Sequence, residues 1–154
     1  HRVTEWGLVA LLATNGLWAG CHVAQLLVPT PTAKVAVYVL GLASGLATVG
    51  AWLYFCSAYA GESYHRNPWL RWAAVGFYLA VLAVKVTSPI HGLYFSTETA
   101  TEPFVRLVIH LGVAHWIVTG IAYALSPVGF SVLFDRFSDA PPATPPPAAI
   151  SRVW

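Results

Sequence analysis

Ionisable side chains inside apolar runs are expensive, so they are functional candidates by default. His22 and His110 have the most chemistry within reach. On the helices read below, each lies about two turns, ~10 Å, beneath the same membrane boundary, on different helices. Two imidazoles at one depth can ligate a b-type haem or share a metal ion. The plainer reading is that each hydrogen-bonds a neighbouring helix, and this is the expectation here. No metal site is expected: the His-x-x-x-His zinc spacing is absent, and His115 follows His110 at i+5. No cofactor is expected either, with haem b the alternative.

Lys85 lies near the expected outer end of the third apolar run. A buried lysine can form a Schiff base, but one this close to the interface is expected to snorkel, which argues against a retinal protein. Arg106 is expected to snorkel as well, or to pair with Glu102 one turn earlier. Asn15 inside the first run reads as interhelical glue. His91, in the longest connector, is either an outer signal contact or a capping residue beside Gly92, and the capping role is the expectation. His91, Tyr94 and Trp116 together are the candidate contacts for an outer signal. Glu98 and Glu102 read as a solvated face. No nucleophile–base set, phosphate loop or carboxylate pair is visible, so no catalytic residues are assigned and the chain is read as a non-enzyme.

The elements that must position these residues are four long apolar stretches. They run at about 6–28 (Trp6–Val28), 34–60 (Lys34–Ala60), 69–87 (Trp69–Thr87) and 103–125 (Pro103–Leu125). A bilayer core takes roughly 20 helical residues. Hydrophobic residues make up 57% of the 154 and charged residues 9%, against about 25% charged in a soluble domain. Continuous runs, not ~10-residue alternating segments, exclude a barrel. The reading is an all-α integral membrane protein, a four-helix transmembrane bundle over 1–138. A short C-terminal interfacial helix is expected at 128–137, where Phe130, Leu133, Phe134 and Phe137 share a side. The Pro-rich tail, 139–154, reads as an extended linker. Cys21 and Cys56 are expected as reduced core residues. Gly16 and Gly20 on the first helix form a small-xxx-small pair. Gly41, Ser44, Gly45, Thr48 and Gly50 form a strip on the second, and both suit close helix packing.

Four spans put both termini on one side, with Arg2, Arg66, Arg71, Arg136 and Arg152. The positive-inside rule makes that side cytoplasmic and the His91 loop external. The protein is therefore read as a multi-pass plasma-membrane protein. Its partners are the lipid bilayer and a helix-packing protein or a second copy. A net charge of +2 gives no argument for nucleic acid.

The order of motifs resembles a known family. Trp18…Gln25-Leu26 precedes Lys34, then Trp52-Leu-Tyr-Phe55…Tyr59-Ala-Gly61. Ser88-Pro-Ile-His-Gly-Leu-Tyr94 follows, and then His115-Trp116…Tyr123. Over about Trp18 to Leu125 this resembles the seven-helix membrane-sensor region at the N-terminus of many histidine kinases. Ser88 stands where that family usually has Asn, and His115 where it usually has an aromatic residue. The resemblance implies a membrane sensory module that passes an outer-face or bilayer signal to a cytoplasmic partner. After Leu125 too little chain remains for a kinase core. The alternatives are a small accessory subunit of a larger membrane complex, or a haem-binding electron-transfer or haem-sensing bundle.

Overall fold

The computed structural model describes residues 2–102 and 106–138. Helix α1 spans Arg2–Leu27, α2 Pro31–Ala60, α3 Pro68–His91 and α4 Val113–Ser138. A 3-10 turn, Tyr64–Arg66, lies between α2 and α3, and strands β1 (Phe95–Ala100) and β2 (Arg106–Leu111) lie between α3 and α4. All four α-helices are long and apolar enough to cross a membrane. The Pro-rich tail and the Pro103 start fall outside the described residues.

Proline and glycine set the boundaries. Pro31 and Pro68 each occupy the first turn of a helix, where a missing N–H costs nothing. Asn67 caps α3 by accepting the Trp69 N–H at 3.0 Å. Gly61 (φ 81°) and Gly92 (φ 66°) close α2 and α3 in the left-handed region that glycine enters without strain.

Helix α2 is the common neighbour: α1 packs on it most extensively, α4 next, and α3 more lightly. Its small-residue strip packs closely at Gly41 and Gly45 as the sequence implied, but not at Gly50, which is exposed with nothing within 4 Å of an added Cβ. A Cβ added to Gly41 would come within 3.2 Å of the Cys21 Cβ, and one on Gly45 within 3.3 Å of the Trp18 indole. Lys34 Nζ donates to the Gln25 carbonyl at 2.9 Å, stapling the α1–α2 turn. Cys21 and Cys56 are buried free thiols. The Gly16–Gly20 pair behaves differently: both residues and Asn15 are exposed, and nothing lies within 4 Å of a Cβ built on either glycine. That side of α1 faces away from the other helices.

The largest departure from the sequence reading is in the last third. The apolar run 103–125 is not one helix. Arg106–Leu111 pairs antiparallel with Phe95–Ala100, with Phe95 opposite Leu111 and Ala100 opposite Arg106. Thr97, Thr99, Val108 and Ile109 are β-branched and suit this pairing. The fourth helix therefore begins at Val113 and continues to Ser138. The separate interfacial helix at 128–137 does not form; those residues are its second half. Pro127 does not break it. In apolar surroundings a neighbouring helix can hold a proline-containing turn, and here the Trp52 indole N–H donates to the Ser126 carbonyl at 3.2 Å. A Cβ on Gly129 would run into that same indole. Pro89 likewise sits inside α3, which ends at His91 and not at Thr87. The i+4 pairing of Arg106 with Glu102 loses its basis, because Arg106 lies on a strand.

Candidate functional site

The buried core gathers at the end of the bundle that carries the hairpin. Val81, Tyr94 and Phe95 form it, backed by Tyr38, Leu42 and Val39 of α2 and Ala114 and Val118 of α4. Within it sits an ammonium group. Lys85 is 1% exposed, so the snorkelling expectation is corrected. Its side chain turns inward because α2 offers a carbonyl and Tyr94 a ring face. Nζ donates to the Leu42 carbonyl at 2.7 Å and lies 5.1 Å from the Tyr94 ring centroid. A desolvated cation–π contact contributes about 2 kcal/mol or more, against a desolvation cost of several kcal/mol. No carboxylate among the described residues forms an ion pair with Lys85.

Ser88, one helical turn after Lys85, fixes the loop that carries Tyr94. Its Oγ is buried and accepts the backbone N–H groups of Tyr94 (3.1 Å) and Phe95 (2.8 Å). It donates to the Phe95 carbonyl at 2.8 Å. One hydroxyl thus serves as two acceptors and a donor. An asparagine side chain offers the same set, which gives the Ser-for-Asn exchange a chemical sense. Gly112 completes the root: its N–H donates to the Tyr94 carbonyl at 2.9 Å, and Ala114 N–H to the Leu93 carbonyl at 3.0 Å. A side chain at 112 would strike the Leu93 carbonyl.

Tyr94 is 2% exposed, and burial, followed by the neighbouring Tyr38 hydroxyl, pushes its phenol up to about 12. Its ring meets the edge of His115 with centroids 5.3 Å apart, and His115 in turn meets Trp116 at 5.5 Å. Tyr38 meets Phe95 edge-on at 5.1 Å. The His115 Nδ1 is buried with no hydrogen-bond partner. Lys85, Tyr94 and His115 therefore link α3, the hairpin root and α4 in one run, with α2 holding the lysine.

Two of the three candidate signal contacts join this cluster. Tyr94 is its centre, and Trp116 is its exposed edge. His91 is the capping residue expected. Its Nδ1 accepts the Leu93 N–H at 3.0 Å, and its Nε2 lies 2.9 Å from Thr87 Oγ1. The Thr87 hydroxyl donates to the Ala83 carbonyl at 2.7 Å. The neutral Nε2–H tautomer satisfies all three contacts at once.

His22 and His110 are not brought to one depth on two helices. His110 lies on β2, exposed, 3.6 Å from the Glu98 carboxylate on the partner strand. His22 lies on α1, edge-on to Trp18 at 5.1 Å, beside a cleft of about 30 Å³. That cleft has room for water and not for a porphyrin. The geometry that motivated a haem pair is absent because residue 110 is on a strand.

Lys85 and Ser88 were the residues the sequence undervalued. Ser88 was visible only as a departure from Asn. Lys85 was visible as a charge in an apolar run, yet nothing in the sequence says which way its side chain turns.

A model of the N-terminal 7TM region of histidine kinase matches residues 2–146. The chain belongs to this family. No curated protein and no solved structure gives a significant match. The resemblance drawn from Pro89-Ile-His-Gly-Leu93 and the aromatic motifs is thereby established, and it extends beyond the stretch that first suggested it. The molecule is a multi-pass membrane sensory region of the histidine-kinase type. The family description names seven spans, and the described residues hold four. Among the described residues no group of three or more His, Cys, Asp or Glu side chains could hold a metal ion.

Proposed function

We propose that the β1–β2 hairpin receives a stimulus at the outer face, and that the run Lys85–Tyr94–His115 passes its displacement to the helices and on to a cytoplasmic partner through α4. The observation that carries this reading is the buried lysine. A cation held by one carbonyl and a ring face is a weakly committed anchor, and small movements of the hairpin root remove the ring. Bistable packing of that kind is what a stimulus can bias, provided it binds the two arrangements with different affinity. The hairpin's polar edge, with Glu98 and His110 exposed, supports a contact made in water and not in lipid.

The test has two arms. The first is topology: Glu98→Cys is expected to react with an impermeant maleimide on intact cells, and Arg66→Cys only after permeabilisation. Cys21 and Cys56 are buried and give a low background. Labelling in the opposite sense reverses the proposed direction. The second is coupling. In a fusion of the region to a histidine-kinase core in proteoliposomes, Tyr94→Ala is expected to shift basal autophosphorylation several-fold, while Phe134→Ala, on an exposed part of α4, leaves it unchanged. Equal effects of the two variants would sink the proposal.

A second reading, an interface with another membrane protein or a second copy, is favoured by one observation. Asn15, Gly16 and Gly20 lie exposed together on the outward side of α1. A polar side chain at mid-membrane facing lipid gains from a partner helix. Co-purification from native membranes that Gly16→Leu abolishes supports this contact.

A further inference from the structure

His115 sits where a neutral imidazole fits and a charged one does not. It lies in the first turn of α4, which begins at Val113. Its ring is partly buried and edge-on to Tyr94, and its Nδ1 is enclosed with no hydrogen-bond partner among the described residues. A neutral ring leaves Nδ1 as a bare lone pair and carries its proton on Nε2. A protonated ring bears an N–H on both nitrogens, and the enclosed one then has nothing to donate to. An orphaned donor that carries charge costs more than a neutral one.

Two further features oppose a charge on this ring. The N-terminus of α4 is the positive end of its dipole, so a cation in the first turn is disfavoured. The Lys85 ammonium lies close enough to act on the same ring, and like charges repel strongly where water is scarce. The titratable groups around His115 are Lys85 on α3, Tyr94 at the hairpin root and, behind Tyr94, Tyr38 on α2. Neither phenol supplies a negative charge near neutral pH. Glu98 is exposed and lies beside His110 instead. Of these groups only the Tyr94 ring favours an imidazolium, and Lys85 already draws on it from 5.1 Å.

We propose that His115 is a proton-operated latch. With a neutral ring the Lys85–Tyr94–His115 run is closed. Protonation drives the ring out of the cluster and parts the start of α4 from the hairpin root. Acidification of the outer medium is then the stimulus this cluster answers to. The latch is a property of the packing alone; that its release reaches a kinase rests on the sensory reading above.

Double electron–electron resonance on the full chain in nanodiscs tests this, with nitroxides at Thr99→Cys on β1 and Tyr123→Cys on α4, both exposed. Cys21 and Cys56 are buried and label poorly. Distances are read at about pH 8 and about pH 5, which bracket the ordinary titration of an imidazole. A second, longer distance is expected to rise from under about a tenth of the molecules to about half. His115→Phe keeps a ring without a titrating nitrogen and should hold the single distance at both values. His115→Gln should do the same, which guards against an effect of ring packing alone. His110→Gln removes the exposed histidine of the hairpin and should respond as the parent does. No change in the parent overturns the latch. So does a full response in both His115 variants, or its loss in His110→Gln. The kinase fusion in proteoliposomes, acidified on the outer side alone, separates the two readings: a new distance without a several-fold change in autophosphorylation supports the latch and sinks the sensory coupling.

Discussion

Replacing Ser88 by alanine should loosen the hairpin root more than the loss of one oxygen suggests. The hydroxyl accepts two backbone N–H groups and donates to one carbonyl, at 3.1, 2.8 and 2.8 Å, at a position with 0% exposure. In the alanine variant two buried donors and one buried acceptor lose their partner together. Each orphaned group costs about 1–3 kcal/mol. Partial relaxation of the loop recovers some of this, so a loss of about 3–5 kcal/mol is expected. Almost no volume is removed, which separates this cost from a cavity effect. Ser88→Cys keeps the volume but supplies a weak donor and a weak acceptor, and should fall near the alanine value. Reversible unfolding in mixed micelles measures the total. Amide hydrogen exchange at Tyr94 and Phe95 measures the local part, and both amides should exchange much faster in the variants. A loss under about 1 kcal/mol, with those amides still protected, would refute the claim that this hydroxyl anchors the hairpin.

Gly112→Ala should be worse than a helix-propensity change, since its methyl meets the Leu93 carbonyl; limited proteolysis is expected to cut between residues 95 and 111 in the variant and not in the parent. Lys85→Met should leave unfolding stability within about 1 kcal/mol or raise it, because an apolar isostere of a buried charge is often neutral or stabilising. The same variant should uncouple the kinase fusion. A large destabilisation would make Lys85 a structural strut instead. The Tyr94 phenol, raised from 10.0 to about 12 by burial, has a definite sign. The folded state holds its proton more firmly, so this contribution is present below pH 10 and lost as pH rises from 10 towards 12. Tyr94→Phe should flatten the alkaline limb of the unfolding profile over that window.

The first three helices were legible because apolar length and Pro/Gly punctuation act locally. Pro29, Pro31, Gly61 and Pro68 each mark a boundary within a few residues of the observed one. The hairpin was not legible for a physical reason. Leu107, Val108 and Ile109 are as apolar as any membrane helix, and continuous apolarity does not separate a strand from a helix. The deciding fact is non-local: Ser88 and Gly112 fix the root so that 95–100 can lie beside 106–111. Pro127 misled in the opposite direction, since the Trp52 indole that braces its helix comes from 74 residues away in sequence. Within the site, Tyr94 and Trp116 could be picked out as aromatic residues beside a turn motif. The inward turn of Lys85 depends on the Leu42 carbonyl and could not.

The uneven packing around α2 has a consequence for how the molecule assembles and yields. The α1–α2 pair has a three-residue turn, 28–30, and the most extensive contact between any two elements. Loop closure over so short a turn is cheap, so this pair is expected to insert and dock as one unit before the rest. The later helices join a finished platform, and α3 holds to it by a smaller surface. Local opening follows contact density. The first half should therefore resist exchange and unfolding to the global limit, while α3 opens at lower free energy. The hairpin hangs between α3 and α4, so a push on it falls first on the half of the protein that yields most readily.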